Sequence, residues 1–330
     1  MKILVTGAAG YIGSHAVKRL LAMNHEVVAL DNLCHGHRQA VDARAKFVEL
    51  DVADRESLTR LLRDERIEAV MHFAAFIEVA ESVANPGKYY FNNFANGLTL
   101  LEAMKTAGVS QLVFSSTAAV YGNPERTPIP EDHPRNPINP YGRSKMMMEM
   151  AIEDFTKAHG LAAVVLRYFN VAGASSDGSI GEAHEPESHL IPRILAAAQG
   201  DSPSAGIFGT DYPTRDGTCI RDYIHVEDLA SAHERALHLM KPGQLLVFNL
   251  GSENGFTVKE VIEACKSVTG KSFDVQVQGR RPGDPAILVA SNAAAKSRLG
   301  WTLKYPELKT IVQHAWAWQQ NGLRRWLGKT

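Results

Sequence analysis

Cysteine is scarce. Only Cys34, Cys219 and Cys265 occur in 330 residues. They form no C-x-x-C pair and no zinc spacing, so neither a disulfide framework nor a thiolate metal site is expected, and sparse odd thiols suit a reducing cytosol. Excess charge is also missing. Lys plus Arg total 35 against 36 Asp plus Glu, a formal net charge of -1. A chain this neutral has no overall attraction for nucleic acid or an anionic membrane, so any anion it binds must be held by local groups. No apolar run approaches the length of a membrane span. The opening MKILVTGAAG passes from one lysine into a short apolar run and glycines, without the apolar h-region of a signal peptide. The expectation is a soluble, cytoplasmic protein with neither nucleic acid nor membrane as partner.

The composition that remains is 45% hydrophobic and 22% charged, ordinary for a globular chain long enough to bury a sizeable core. Short apolar runs alternate with helical patterns through the first half: KILVT (2–6), EVVAL (26–30), KFVEL (46–50), EAVMHF (68–73), QLVFSS (111–116) and AAVVLRY (162–168). A helix is predicted from Tyr11 to about Met23, and another capped by Asp54. Continuous apolar strands alternating with helices imply an α/β fold, a doubly wound parallel sheet covered on both faces. After about residue 170 the pattern loosens. Residues 173–188 and 200–217 are polar and rich in Gly and Ser, with helices near 190–199, 226–240, 257–269 and 306–321 and brief strands such as LLVFNL (245–250). Residues 1–172 are therefore read as a nucleotide-binding domain. Residues 173–330 are read as a smaller, loop-rich substrate lobe, interleaved with the first and lying over the carboxyl ends of the strands.

Gly7, Gly10 and Gly13, spaced G-x-x-G-x-x-G, lie between the first strand and the first helix. Glycines there permit a tight turn and let a pyrophosphate approach the backbone at a helix N-terminus, although the trio alone also fits a plain strand–helix turn. Asp31 ends the second strand about 20 residues on, where a carboxylate binds adenosine ribose hydroxyls and repels a 2′-phosphate. NAD is thus favoured over NADP, with His37 and Arg38 nearby to soften the preference. Asp51 ends the third strand, within reach of the adenine.

Tyr141 and Lys145 stand four residues apart in PYGRSK, on one face of a helix begun by Pro140. An adjacent ammonium and a positive nicotinamide ring favour phenolate, lowering the tyrosine pKa from its free value of about 10. Such a tyrosine can take the proton of a sugar hydroxyl as that carbon is oxidised. Ser115, Ser116 and Thr117 end the strand LVFSS, where a hydroxyl can bind the substrate oxygen and orient the tyrosine proton. Any one of them could instead satisfy local backbone groups. The full order of glycine trio, acid, hydroxyl cluster and Tyr-x-x-x-Lys is what raises the reading above chance.

TGAAGYIGSH (6–15), LDNL (30–33), HFAA (72–75), SSTAAVYG (115–122), PYGRSK (140–145), LRYFNVAGA (166–174) and RDYIHVEDLA (221–230) resemble the extended short-chain dehydrogenases/reductases, and among them the nucleotide-sugar 4-epimerases. The resemblance covers nearly the whole chain and implies a Rossmann-type fold. It implies interconversion of UDP-galactose and UDP-glucose through transient oxidation at sugar C4 with tightly held NAD, rotation of the 4-keto sugar and reduction from the other face. Tyr141, Lys145 and Thr117 would be catalytic. The resemblance places Gly7, Gly10, Tyr11, Ile12, Gly13, Asp31, Asn32, Leu33, Asp51, Val52, Phe73, Ala74, Ala75, Asn92, Ser115 and Phe169, with Tyr141 and Lys145, at the NAD site. It places Asn170, His189, Leu190, Phe208, Arg221, Arg281, Asp284 and Leu288, with Thr117 and Tyr141, at the UDP-sugar site. Arg221 and Arg281 suit a diphosphate because guanidinium offers paired donors, and Phe208 suits uracil. The resemblance also suggests a homodimer packed through the helix near 88–107 and the helix carrying Tyr141 and Lys145, where the methionine run MMMEM (146–150) otherwise reads as core.

The chain departs from the family at several points. Thr117 stands where some members have Ser, Ile77 where some have Lys, and His189 where some have Asn. Leu288 stands where some have a bulky Tyr that limits the sugar pocket and others a small residue that admits N-acetyl groups. Epimerases of UDP-N-acetylhexosamines or of a UDP-uronic acid therefore stay open as alternatives. A 4,6-dehydratase needs an acid pair after the strand-end hydroxyl, and Thr117 is followed by Ala118 and Ala119. A non-catalytic NAD-binding protein would not need Tyr141 and Lys145. His184, Glu187 and His189 are close together but lack H-E-x-x-H spacing, so they read as solvated loop residues and no metal is expected.

Overall fold

The computed structural model describes residues 1–281, 284–323 and 326. The apolar runs of the first half form β1 (Lys2–Thr6), β2 (Glu26–Asp31), β3 (Lys46–Glu49), β4 (Ala69–His72), β5 (Gln111–Thr117) and β6 (Ala162–Tyr168). With Leu245–Leu250 they make one seven-stranded sheet, in the order Leu245–Leu250, β6, β5, β4, β1, β2, β3. Every neighbouring pair is parallel. The winding runs outward from β1 to β3, then restarts at β4 on the other side of β1. That reversal opens a crevice at the carboxyl ends of β1 and β4, where doubly wound sheets bind ligands. The architecture is the Rossmann-type α/β fold expected from the sequence.

Side chains alternate between the two faces of each strand. Ile3 and Val5 of β1 pack with Val17 and Leu20 of helix α1 (Tyr11–Ala22) and with Leu229 and Trp301. Leu4 of the same strand packs on the opposite face with Leu58 and Leu62 of α2 (Arg55–Asp64), Leu100, Met104 and Met148. The Asp54 side chain accepts from Ser57 N at 3.0 Å, capping α2 as predicted. A third core joins helices Leu190–Gln199, Val258–Thr269 and Leu308–Ala317 through Ile194, Leu195, Val261, Ile262, Ile311 and Val312.

One element lies elsewhere than its surroundings suggest. LLVFNL, read with the loose second half, is the edge strand of the main sheet, paired with β6 from Leu245↔Ala163 to Leu250↔Tyr168. Its apolar residues serve both faces, Leu246, Phe248 and Leu250 on one and Leu245 and Val247 on the other. Such two-sided burial belongs to a covered parallel strand. Among the described residues, no helix is long and apolar enough to cross a membrane.

Candidate active site

The glycine turn joins β1 to α1 at the crevice. Gly7 has φ +70°, and a Cβ there would lie 2.6 Å from Ala74 N. A Cβ on Gly13 would lie 2.0 Å from the Gly7 carbonyl oxygen. Only glycine keeps this turn tight enough to abut the loop after β4. Gly10 is the residue before Tyr11, so the first amides of α1 have no side-chain cap and can receive an anion. The residues present therefore fit a dinucleotide pyrophosphate. Tyr11 turns away from that amide row, its hydroxyl donating to the Gly173 carbonyl at 2.7 Å.

Asp31 ends β2, 7% exposed, its carboxylate accepting from Ala9 N at 2.9 Å and Leu33 N at 2.8 Å. These bonds fix one edge of the carboxylate beside the glycine turn. Asn32 donates to Asp51 Oδ2 at 2.8 Å, which brings the ends of β2 and β3 together as a wall for an adenosine. Val52 is buried just beyond. Phe73, Ala74 and Ala75 follow β4, with Phe73 N bonded to the Thr6 carbonyl at 3.0 Å. Asn92 donates to Asn93 Oδ1, and the buried Asn93 clasps Phe76 through its amide and carbonyl, all at 2.9 Å. Asn93 is thus a clamp on the loop after β4 that the sequence reading did not single out.

The catalytic helix runs Pro140–His159, with Asn139 accepting from Gly142 N at 2.8 Å to cap it. A Cβ on Gly142 would lie 2.5 Å from the Ala119 carbonyl. That close approach seats the start of the helix against the turn after β5, beside Thr117. The Thr117 side chain faces Tyr141, and its Oγ1 also accepts from Ala119 N at 3.1 Å. Burial raises the Tyr141 pKa, Thr117 opposes this, and the Glu78 charge adds to the rise. The net direction from the protein's own groups is upward, because burial outweighs the Thr117 contribution. Lys145 Nζ donates to the Ser115 carbonyl at 2.9 Å. Burial lowers Lys145 to about 7 while the Glu149 carboxylate opposes the fall. Ser115 Oγ meets the Tyr168 hydroxyl, which joins Tyr168 to the constellation; it lies within the family run LRYFNVAGA but is assigned no role there. Ser116 turns to the other side and donates to Glu149 Oε1 at 2.5 Å.

The second group gathers from the C-terminal half. Arg221 pairs with Asp284 and also donates to the Ile220 carbonyl at 2.7 Å. Leu288 lies opposite Arg221 in a parallel pair. Arg281 stacks its guanidinium 3.8 Å over the Phe208 ring. Asn170 donates to the Asp222 carbonyl at 3.3 Å, one residue from Arg221. Phe169, Leu288 and Met146, the residue after Lys145, pack on one small core of Val120, Tyr121 and Ile129, which ties this group to the catalytic helix. His189 and Leu190 begin helix Leu190–Gln199. Burial opposes protonation of His189, but the Glu182 and Glu187 carboxylates outweigh it and raise its pKa.

The loop read as solvated differs from that expectation. Glu182, which the sequence reading passed over, is buried, and His184, Glu187 and His189 are partly so. The chain folds this loop back onto the first half, with the His37 ring 2.7 Å from the Ala183 carbonyl and His184 edge-on to the Tyr11 ring.

The pattern of the NAD dependent epimerase/dehydratase family matches residues 3–251. A UDP-glucose 4-epimerase of Lactobacillus helveticus is 52% identical over 97% of this chain and 98% of its own. The crystal structure of UDP-glucose 4-epimerase from Brucella ovis in complex with NAD is 45% identical, with TM-score 0.93, covering 96% of this chain and 97% of that one. The UDP-Glc/GlcNAc 4-epimerase of Campylobacter jejuni is 44% identical, with TM-score 0.85, covering 97% and 99%. On the glycine turn, the Thr117–Tyr141–Lys145 constellation and these likenesses, the chain belongs to the NAD dependent epimerase/dehydratase family.

Proposed function

We propose that the chain interconverts UDP-galactose and UDP-glucose with tightly held NAD, in the cytoplasm and as a homodimer. The observation that carries the reading is the close approach of the start of the catalytic helix, with Tyr141 and Lys145 on one face, to the turn after β5 that carries Thr117. Bound NAD would supply a reversible two-electron acceptor for sugar C4. Gly7, Gly10, Gly13 and the first amides of α1 would hold its pyrophosphate, Asp31 its adenosine ribose, and Lys145 its nicotinamide ribose. Tyr141 takes the proton of the sugar 4-hydroxyl and returns it after the 4-keto sugar has turned about its diphosphate. Thr117 shares that hydrogen bond, orienting the oxygen. Arg221 and Arg281 hold the diphosphate, and Phe208 packs against uracil. Residues 1–172 thus carry the cofactor and the catalytic pair, and residues 173–330 the nucleotide sugar. Val79, Val83, Phe91 and Met150 are 46%, 64%, 73% and 50% exposed, and this apolar surface supports the homodimer.

The test is incubation of the purified protein with UDP-galactose, adding no NAD, and chromatographic separation of the UDP-sugars. Conversion to UDP-glucose that disappears in Tyr141→Phe is the expected result. No conversion, even with NAD supplied, would move the reading to an N-acetylated or uronic sugar nucleotide. Leu288 is half-buried and smaller than the tyrosine that limits the pocket in some family members, so the N-acetylated substrate is the second reading.

A further inference from the structure

We propose that the loop 182–189 is a binding site for a divalent first-row transition cation, zinc by its ligand chemistry, held by Glu182, His184, Glu187 and His189. One donor atom from each residue converges so that all four lie within 4.8 Å of one another. His189 Nδ1 is 2.7 Å from Glu182 Oε1 and 3.2 Å from Glu187 Oε1. His184 Nδ1 is 3.1 Å from Glu182 Oε1 and 3.8 Å from Glu187 Oε2. Ligand atoms about 2.0–2.2 Å from a tetrahedral zinc stand roughly 3.3–3.5 Å apart, so these spacings bracket the edges of such a site. Two imidazoles and two carboxylates form a donor set suited to zinc rather than to magnesium or calcium, which favour oxygen throughout.

Both rings aim Nδ1 at one buried oxygen, Glu182 Oε1, with ring centroids 5.2 Å apart, so the two imidazoles and the carboxylate converge on one centre.

The surroundings are built to hold the ligands. The Glu182 carbonyl accepts from Trp318 Nε1 at 2.8 Å, and Ser188 Oγ donates to Glu78 Oε1 at 2.8 Å. His189 N donates to Glu187 Oε1 at 2.8 Å, orienting that carboxylate. Such outer bonds fix ligand direction in metal sites. The His189 side chain is 40% exposed against 5% for Glu182, so the site has a closed floor and an open entry. His189 immediately precedes helix Leu190–Gln199, and His184 meets the Tyr11 ring edge-on at 6.4 Å. The cation would tie the start of helix Leu190–Gln199 to the start of α1.

The test uses the full-length Cys34→Ser chain, which removes the exposed thiol as a competing ligand. The protein is stripped with a chelator, titrated with zinc alone and desalted, and its metal content is measured. About one zinc per chain is expected, together with a raised melting temperature and, for cobalt in its place, tetrahedral d–d absorption. His184→Asn and Glu187→Gln should each weaken zinc binding by about tenfold or more while keeping the far-ultraviolet circular dichroism of the parent. Either variant suffices if the other fails to fold. No zinc retained by the parent, zinc retained equally by both variants, or a cobalt spectrum of octahedral form would each overturn the proposal and leave the cluster as a set of ion pairs.

Discussion

Arg167 grips Glu149 through two bonds, Nε to Oε1 at 2.9 Å and Nη2 to Oε2 at 2.6 Å, both residues 3% exposed. Glu149 also accepts from Ser116 and from Arg135, and it lies one helical turn beyond Lys145. The carboxylate therefore links the β5 end, β6 and the catalytic helix. Glu149→Gln leaves the Arg167 guanidinium buried without its counter-charge. Removal of one partner of a buried pair costs on the order of 3–5 kcal/mol. Urea unfolding of Glu149→Gln should lose about that much, and Glu149→Gln with Arg167→Met should recover part of it. A loss below about 1 kcal/mol in the single variant would show the pair to be dispensable.

Lys145 stores instability at the reaction centre. Burial lowers its pKa to about 7 in the folded chain, against 10.5 when unfolded. The unfolded chain binds the proton more readily between these values, so the penalty is full below about pH 7 and fades as pH rises toward 10.5. Lys145→Met should abolish epimerisation yet stabilise the fold at pH 7 by on the order of 3 kcal/mol, less the bond to the Ser115 carbonyl. The gain should shrink at pH 9.5. A gain that is flat across that range would mean Lys145 is not buried as a cation.

Sequence pattern carried the β1–β6 sheet because each strand there is a continuous apolar run followed by a helical period. It also carried the glycine turn, Asp31, Thr117 and Tyr141, whose spacing is local. It placed LLVFNL as a strand but not in its sheet, since pairing with β6 crosses more than 75 residues from Tyr168 to Leu245. Arg167 inside the apolar run AAVVLRY was a readable signal, because a cation in a covered strand demands a partner. Its partner Glu149 was hidden among methionines on another element. Glu182 was missed for the same reason, being one more acid in a polar loop until the fold buries it.

Four buried histidines set the acid limit of the fold. Burial lowers His15 and His233 to about 4, and His72 and His225 to about 3, from 6.5. These depressed values mean their contribution is intact above pH 6.5 and is lost as pH falls toward 3–4, because the unfolded chain takes protons the folded one refuses. Urea midpoints should fall steeply between pH 6.5 and 4.5. His233→Leu should flatten that slope by about one proton. An unchanged slope would place the acid sensitivity in the carboxylates instead.

Phe91, at 73% exposure on the π-helical turn Tyr90–Ala95, and Met150 on the catalytic helix present the apolar surface expected between two protomers. Phe91→Glu with Met150→Glu should convert a dimer to a monomer in light scattering, since a charge stranded in such a contact costs several kcal/mol. A parent protein that is monomeric at micromolar concentration would remove the homodimer reading outright.

Leu288 stands opposite Arg221 in register and packs on the same Val120, Tyr121 and Ile129 core as Phe169 and Met146, which places it between the Arg221 strand and the catalytic helix. Side-chain volume at this position should therefore decide which substituent at sugar C2 is admitted. Leu288→Tyr should leave UDP-galactose turnover within about threefold and lower the relative turnover of UDP-N-acetylgalactosamine by about tenfold or more; Leu288→Ala should raise that ratio. Steady-state kcat/KM for both sugars in the three proteins measures it, because only the ratio isolates the pocket from general damage to the fold. Equal ratios in all three would place Leu288 outside the wall of the sugar site.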